Sequence, residues 1–224
     1  MTLINTSIEN LKPGDDCRKQ FQIAYNNRYT WPTKFEGYQG LVEFKDKNRN
    51  ELGNFIIDSE FKGKVFGITD QEIINSISTQ LWEVCIHRVK REFDDVHGAN
   101  TFTVGNTNEH GTEVLVGGKS EGDSYRINKS FFSMVHRNIH GKIVTIYTEK
   151  IIDTSSGYLS ERYNSQYSDK LTSEVISKKY YFSDEFIPLD KNGPWVLSKR
   201  IISEGFSDSS TKTEYKFKDM KKIN

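Results

Sequence analysis

Two histidines four positions apart are the residues whose types and spacing most resemble a chemical site. The stretch VHRNIHGK contains His136 and His140. On a helix, residues at this spacing lie about 6 Å apart and could share a zinc ion. On one extended strand they would lie about 13 Å apart at roughly 3.3 Å per residue, too far for two bonds of about 2 Å to one ion.

The flanking residues favour strands over a helix. FFSMV before the pair and KIVTIYTEK after it are rich in β-branched and aromatic side chains. The run is too long for a typical strand, so we expect a hairpin with His140-Gly141 as its tight turn and with His136 and Arg137 along one arm. No extended geometry makes a two-histidine clamp, and a metal site would need ligands from a neighbouring strand. The three residues remain candidates for binding a ligand or partner.

His87 is a third histidine with a chemical interpretation. It lies on the polar side of a predicted long helix, four residues after Glu83 and four before Arg91. A surface ion pair is one interpretation, because helix faces commonly carry such pairs. A proton-transfer role would require this face to point into a pocket. Trp82 lies off the apolar stripe of the same helix, and we expect it to face the interior of the sheet.

Two stretches combine aromatic and basic residues. NNRYTWPTKFEGY contains Arg28, Tyr29 and Trp31, and GYLSERYNSQYSD contains Arg162 and Tyr163. Tyrosine, tryptophan and arginine are favoured at binding hot spots, and arginine binds carboxylate or phosphate. The first stretch could equally cover the end of the core, and the second could be a solvated strand face.

The motifs of common enzyme classes are absent from the sequence. There is no G-x-S-x-G, and the glycines of VLVGGKSEGD fit neither a P-loop nor a dinucleotide fingerprint. An enzyme is therefore unsupported but not excluded, and we predict neither a cofactor nor catalytic residues.

Composition and charge exclude several classes of protein. The 224 residues carry 31 basic and 31 acidic side chains, so no overall field attracts nucleic acid or an anionic membrane. The first residues show no basic n-region followed by an apolar h-region, and no run approaches 18 apolar residues. We therefore expect a soluble, cytoplasmic or stromal protein without a transmembrane segment. Cys17 and Cys85 fall on predicted helix faces among apolar residues, and we expect both to be buried free thiols.

The elements that must position these residues are two helices and many strands. A short amphipathic helix is predicted at about 16–28, with Cys17, Phe21, Ala24 and Tyr25 on its apolar face. A long helix is predicted at about 70–94, with Thr69 and Glu72 at capping-box spacing and an apolar stripe that runs from Ile73 to Phe93. Period-two runs between turn formers predict about ten or eleven antiparallel strands, and such a sheet should curl into a half barrel or barrel with the long helix packed on it. We therefore predict an α+β fold, with a loose segment at 1–14 and a single domain at 15–224.

Several motifs in this order resemble a protein family of cyanobacteria and photosynthetic plastids that has no assigned reaction. They are AYNNRYTW, GITDQEIINSISTQLWEVCIHRVKREF, HGANTFTVG, VLVGGKSEGD, VHRNIHGKIVTI and GYLSERYNSQY, and the resemblance spans roughly residues 15–206. It implies a protein of oxygenic phototrophs, near the thylakoid membrane. The predicted architecture is also similar to LolA-like half-barrel lipoprotein carriers, although those carriers are exported.

The leading hypothesis is a non-catalytic accessory protein whose curved sheet holds a hydrophobic ligand, either a lipid or a pigment. The alternative is a scaffold or assembly factor that acts through its aromatic and arginine-bearing surface loops, with an exposed patch around Arg28, Tyr29 and Trp31. Its expected partner is a photosynthetic or thylakoid-associated protein. A weaker alternative is an enzyme that uses His87 or His136 with a nearby carboxylate.

Overall fold

The computed structural model describes residues 17–191, 193–205 and 212–223, and this part of the chain contains three helices and twelve strands. The predicted loose segment at 1–14 lies outside the described residues. The helices are α1 (Cys17–Asn26), α2 (Gln71–Arg88) and α3 (Phe93–His97). The strands are β1 (Tyr38–Lys45), β2 (Asn50–Ile57), β3 (Gly63–Phe66), β4 (Asn100–Asn108), β5 (Gly111–Gly118), β6 (Ser124–Asn128), β7 (Phe131–Ile139), β8 (Lys142–Thr154), β9 (Gly157–Asp169), β10 (Tyr180–Pro188), β11 (Trp195–Glu204) and β12 (Lys212–Lys222).

The chain divides into two compact units. Unit 1 contains residues 17–29 and Arg91–Lys179, and unit 2 contains Thr30–Lys90 and the described residues from Tyr180 onward. Strands of unit 1 follow the order β4-β5-β6-β7-β8-β9, and those of unit 2 the order β3-β2-β1-β12-β11-β10. The named strands pair in antiparallel fashion within each unit, as predicted. The single domain at 15–224 stays a prediction.

The twelve described strands exceed the ten or eleven expected from the sequence. Strands β3 and β6 have only four and five residues, which is too short for a period-two run to stand out between turn formers. The curling of the strands into a half barrel or barrel stays a prediction.

Helix α1 supplies the centre of the core of unit 1. It is shorter than the predicted 16–28, but Cys17, Phe21, Ala24 and Tyr25 form its buried face at the expected helical spacing. The Phe21 ring contacts aromatic rings from three strands, with centroids 4.6 to 4.9 Å apart. Pairs of this geometry add about 0.5–1.5 kcal/mol each beyond their area burial. This face of the sheet is therefore filled by side chains.

Helix α2 begins one residue later than the capping-box prediction requires. Its N-cap is Asp70, whose Oδ1 accepts hydrogen bonds from the backbone amides of Glu72 (2.9 Å) and Ile73 (3.3 Å). The capping box of Thr69 and Glu72 was thus wrong, because an aspartate one position further on satisfies the same free amides. The buried face agrees with most of the predicted apolar stripe and comprises Ile73, Ile77, Leu81, Val84 and Cys85, with Gln80.

The helix also ends at Arg88, so the predicted continuation to residue 94 was wrong. Val89 is its extended C-cap, and the carbonyl oxygen of Arg88 accepts a hydrogen bond from the backbone amide of Trp31 at 2.8 Å. This distant partner satisfies a carbonyl at the helix end. Phe93, which was predicted to continue the stripe, belongs to α3 and packs in the core of unit 1.

Both cysteines are free and buried, as predicted. Burial raises the pKa of the Cys85 thiol to about 12, which keeps this thiol protonated near neutral pH. None of the described helices has both the length and the apolar character needed to cross a membrane.

A buried ion cluster joins α2 to two strands of unit 2. Arg200 on β11 donates two hydrogen bonds to Asp184 on β10, at 2.8 Å from Nε to Oδ1 and 2.7 Å from Nη2 to Oδ2. Its Nη1 donates to Gln80 and Glu83 of α2, each at 2.9 Å. Burial raises the pKa of Glu83, opposed by the Arg200 charge. The cluster fixes α2 to the sheet through directional bonds in addition to apolar contact.

Candidate functional site

The candidate site is a groove of about 640 Å³ in unit 1. Its lining residues come from the turn between β4 and β5, from β6 to β9, and from the segment after β9. They are Glu109, His110, Asn128, Phe131, Ser133, Tyr147, Thr148, Glu149, Asn164 and Lys179.

Cross-strand pairing shows which face of the sheet bears the groove. Met134, Tyr147 and Asn164 are direct partners across β7, β8 and β9. Directly opposite residues of an antiparallel pair share a face, and the next row along the strands points the other way. That next row includes Tyr125 and Val135, which pack in the core around α1. The row that includes Tyr147 and Asn164 therefore faces away from α1.

The turn between β4 and β5 is anchored against this face by buried polar groups. Arg126, 9% exposed, donates from Nη2 to the Asn106 side chain (2.7 Å) and from Nη1 to the Gly111 carbonyl (3.2 Å). The Ser133 hydroxyl is hydrogen-bonded to the carbonyl oxygen of His110. These contacts hold the His110 ring beside Tyr147, with ring centroids 5.3 Å apart.

Asn164 is the feature of the groove that calls for a ligand. The residue is only 5% exposed, and its Nδ2 donates a 2.9 Å hydrogen bond to Glu149 Oε1. Its Oδ1 is buried and has no hydrogen-bond partner in the structure. Exchanging the positions of Oδ1 and Nδ2 would not give Oδ1 a partner, because Oδ1 would then face the Glu149 carboxylate, which can only accept hydrogen bonds. An unsatisfied buried acceptor costs about 1–3 kcal/mol, so a donor that reaches it would bind with that advantage.

The remaining lining groups combine ring faces with charge. Phe131, Tyr147 and His110 contribute aromatic surface, and two carboxylates and one lysine, Lys179, contribute charge. His110 Nε2 lies 3.8 Å from Glu109 Oε1. With Asn164 Oδ1 included, acceptors outnumber cationic groups. This arrangement suits a molecule that has an apolar face and hydroxyl or amine donors.

None of the candidate residues predicted from the sequence lines this groove. The predicted hairpin is nevertheless correct: β7 and β8 are joined by His140-Gly141, both with positive φ (50° and 81°), as type I′ turns require. His140 is exposed at this turn, and His136 Nδ1 lies 2.9 Å from the Thr145 hydroxyl. Arg137 donates from Nε to Asp123 at 3.1 Å, so it anchors a buried carboxylate.

The exposed patch expected around Arg28, Tyr29 and Trp31 was wrong. Tyr29 and Trp31 are 4% and 2% exposed, and the Trp31 indole donates to the Trp195 carbonyl at 2.9 Å within unit 2. In unit 1 the Arg28 guanidinium lies 3.8 Å from the centroid of the Tyr25 ring. Both aromatic side chains belong to a core, because each is large enough to gain more from burial than from solvent contact.

Trp82 was expected to face the sheet interior, and this was also wrong, since it is 60% exposed. It follows the buried Leu81, so the helical rotation directs it away from the packed face. His87 is exposed near the end of the same helix. On β9, Arg162 is exposed and Tyr163 is half-buried, and neither lines the groove.

Within residues 17–191, 193–205 and 212–223, no three His, Cys, Asp or Glu side chains are placed to hold a metal ion. Asn164 and Glu149 were not predicted from the sequence, because a single asparagine and a single glutamate on different strands form no motif. Asn164 lies in a stretch singled out for its aromatic and basic residues. Its partner Glu149 lies fifteen residues earlier on β8, and only the register of β8 and β9 brings the two together.

Comparison with known proteins gives a family and a distant structural likeness. None of the curated proteins matches the sequence. The crystal structure of a DUF1329 family protein from Desulfovibrio piger is similar at 8% sequence identity, with 92% of each chain covered and a TM-score of 0.28. The family model described as "Protein of unknown function (DUF3386)" matches residues 12–223. The chain therefore belongs to the DUF3386 family.

Proposed function

We propose that this protein is a non-catalytic binding protein whose groove in unit 1 holds an amphipathic small molecule. The observation that carries the proposal is the buried, unpartnered Oδ1 of Asn164, a residue that lines the groove. Native proteins satisfy most buried polar atoms, and those that stay unsatisfied call for an explanation. A bound molecule that donates a hydrogen bond to Oδ1 supplies one.

The groups beside Asn164 define the chemistry of that molecule. Aromatic faces of Phe131 and Tyr147 would pack against an apolar ring or chain, and Glu149 would accept from a hydroxyl or amine. A purely apolar molecule would leave these acceptors without donors. The hypothesis of a hydrophobic ligand is therefore narrowed to a lipid or pigment that bears hydroxyl or amine donors.

Catalysis is less well supported by the same residues. The Ser133 hydroxyl is engaged with the carbonyl oxygens of His110 and Arg126, so it is not paired with a general base. His87 and His136, the histidines considered for proton transfer, do not line the groove. A role as an accessory protein of oxygenic phototrophs, close to the thylakoid membrane, is the physiological part of the proposal. It rests on the resemblance of the sequence motifs.

Native mass spectrometry of the purified chain, incubated with a lipid and pigment extract of thylakoid membranes, tests the proposal. We expect one bound molecule per chain, identified by mass and, for a pigment, by visible absorption. The variant Asn164→Leu should lose the bound mass, and the exposed-turn control Asn48→Leu should keep it. A bare mass for the natural chain, or equal occupancy in both variants, would overturn the proposal.

The unpartnered Oδ1 of Asn164 also leads to a prediction about the free energy of unfolding. We expect Asn164→Leu to leave the free energy of unfolding of the ligand-free protein unchanged or to raise it by up to about 1 kcal/mol, because leucine removes an unsatisfied buried atom of similar shape. Glu149 is exposed and regains water in place of the lost amide donor. Urea denaturation of the two proteins measures the difference.

Asn100→Leu is the matched comparison, since Asn100 is 4% exposed in the same unit and its side chain is satisfied. Its Nδ2 contacts His97 Nδ1 at 3.0 Å and Ser120 Oγ at 3.1 Å, and its Oδ1 accepts from the Ser120 amide at 3.1 Å. We expect this variant to lose about 2 kcal/mol. Equal losses at both asparagines would mean that solvent already satisfies Asn164 Oδ1.

A further inference from the structure

Unit 1 carries a cluster of exposed apolar side chains that its own core does not use. Leu171 is 91% exposed, Val175 62% and Ile176 48%, and Ile139 and Tyr167 are 42% and 37% exposed. Single exposed apolar residues are ordinary, but a contiguous group marks an interaction site. We refer to residues 139–142 and 167–179, which contain this group, as the apolar tip.

Backbone pairing shows that the two segments of the apolar tip lie together. Ile139 pairs with Lys142 across the β7–β8 turn, and Lys142 pairs in turn with Asp169 at the end of β9. The chain then folds back on itself, because Ser168 bridges Val175 and the Ile176 amide donates to the Tyr167 carbonyl at 2.9 Å. The exposed side chains therefore occur at one end of the sheet of unit 1.

Asp169 fixes the loop that presents Leu171. Its Oδ1 accepts from the backbone amides of Leu171 (2.8 Å) and Thr172 (2.9 Å), and its own amide donates to the Glu174 carbonyl at 2.8 Å. The hydrogen bonds from Thr172 and Leu171 lower the pKa of Asp169, so the anchor stays ionised near neutral pH. These hydrogen bonds fix the backbone of the turn in the conformation that leaves the Leu171 side chain exposed.

The charge of the apolar tip differs from that of the whole chain. Its two segments contain four lysines against two carboxylates, Asp169 and Glu174, whereas the chain has equal numbers of basic and acidic residues. Lys142 pairs across the strands with Asp169, and Lys142 and Lys170 are both exposed, so the excess of lysines leaves the apolar tip with a net positive charge. An anionic surface is the complement of this arrangement.

We propose that the apolar tip docks on an anionic lipid bilayer. Apolar side chains would enter the boundary between headgroups and acyl chains, and the lysines would contact anionic headgroups, the two signals that together give stable peripheral binding. A hairpin tip suits a deformable lipid surface. A second copy of the chain is the poorer partner, because a symmetric contact would place the lysines of one tip against those of the other.

Vesicle sedimentation of the full chain tests this docking, and Lys179 is the one residue that the apolar tip shares with the lining of the groove. The probes are vesicles of phosphatidylcholine alone and vesicles that also contain phosphatidylglycerol. We expect binding to the anionic vesicles to exceed binding to the neutral ones and to weaken with added salt. Leu171→Ser should reduce binding about tenfold, as the loss of one inserted leucine would.

Matched controls separate the apolar tip from general surface effects. Leu115→Ser removes an exposed leucine of β5, which is 46% exposed, and should bind as the natural chain does. Lys142→Glu should weaken binding to anionic vesicles, and Lys119→Glu, in the exposed turn after β5, should not. Absence of sedimentation, or equal binding by Leu171→Ser and the natural chain, would overturn the proposal. So would a dimer in analytical ultracentrifugation that Leu171→Ser abolishes without any vesicle binding.

Discussion

Replacing Arg200 with leucine is expected to destabilise the protein by about 3–5 kcal/mol, because the substitution leaves the Asp184 carboxylate buried without its partner. Asp184 is 1% exposed and Arg200 is 5% exposed, so water cannot readily replace the lost bonds. The two residues are direct cross-strand partners, and their side chains meet in a bidentate pair. Gln80 and Glu83 of α2 would lose their shared donor as well.

Urea denaturation of the natural chain and the variant measures this loss. Lys199→Leu is the matched control at the adjacent position, where the lysine forms a 3.3 Å ion pair with Glu185, which is 64% exposed. Surface pairs contribute about 0–1 kcal/mol, so we expect little change there. A loss at Arg200 no larger than the loss at Lys199 would show that the cluster is solvated and does not fix α2.

A double replacement separates the net contribution of the ion pair to stability from the destabilisation caused by leaving one buried charge without its partner. Arg200→Met combined with Asp184→Leu removes both charges and should recover most of the stability lost in Arg200→Leu, since apolar replacements of buried pairs are often neutral or stabilising. Failure to recover would mean that packing around Phe182, 5.6 Å from the guanidinium, depends on the arginine itself.

Local patterns in the sequence were sufficient to predict the elements with a strong period. The α1 face of Cys17, Phe21, Ala24 and Tyr25 follows from helical spacing, and the β7–β8 turn follows from His140-Gly141 between two β-rich runs. In each case, residues a few positions apart define the conformation. Neighbouring residues therefore carry all the information that the prediction needs.

Features set by distant partners could not be predicted in the same way. Helix α2 stops at Arg88, where Trp31, far away in sequence, donates to its carbonyl oxygen, although the apolar spacing continues in the sequence to Phe93. The buried position of Trp31 depends on Trp195 in the same manner. Aromatic and arginine side chains serve cores and binding sites alike, so their types alone did not distinguish the two.

The groove was missed for a related reason. Asn164 has no distinctive neighbours in sequence, and its unpartnered oxygen exists only because the register of β8 and β9 pairs it with Tyr147 and directs its amide to Glu149. Strand register is set by long-range pairing. A site that is recognised by the missing hydrogen-bond partner of a buried atom cannot be identified from a sequence motif.

Acid should destabilise the protein well above the pH at which ordinary carboxylates titrate, because of His97. This histidine is 5% exposed and lies among the rings of Phe21, Tyr25, Phe93 and Phe102, with centroids 5.1 to 6.2 Å away. Burial lowers the pKa of His97 to about 4, with the positive charges of Arg137 and Arg28 acting in the same direction. The folded state therefore requires the neutral ring.

The hydrogen bond of His97 independently favours the neutral form. The Asn100 Oδ1 accepts from the Ser120 backbone amide at 3.1 Å, which fixes the orientation of the Asn100 side-chain amide. Its Nδ2 then faces His97 Nδ1 at 3.0 Å, so this ring nitrogen accepts and the proton of the neutral ring is on Nε2. Protonation of Nδ1 would set two donors against each other in a buried site.

The sign and window of the pH dependence follow from these contacts. The unfolded chain binds a proton at His97 near its ordinary pKa of 6.5, whereas the folded chain does so only near about 4. The part of the free energy of unfolding that depends on neutral His97 is therefore fully present above a pH of about 6.5. It is lost progressively, by about 3 kcal/mol, as the pH falls to about 4. Carboxylates whose pKa is lowered, such as Asp58 and Asp169, lose their contribution mainly below this window.

Urea denaturation at a series of pH values, compared with His97→Leu, isolates the effect. The variant has no titrating group at this position. The free energy of unfolding of the natural chain minus that of the variant should therefore decrease as the pH falls from 7 to 4. His140→Asn, at the exposed β7–β8 turn, should follow the natural chain throughout. A constant difference between the natural chain and His97→Leu would show that His97 titrates alike in the folded and unfolded chains. The aromatic cluster around α1 would then open to water without unfolding unit 1.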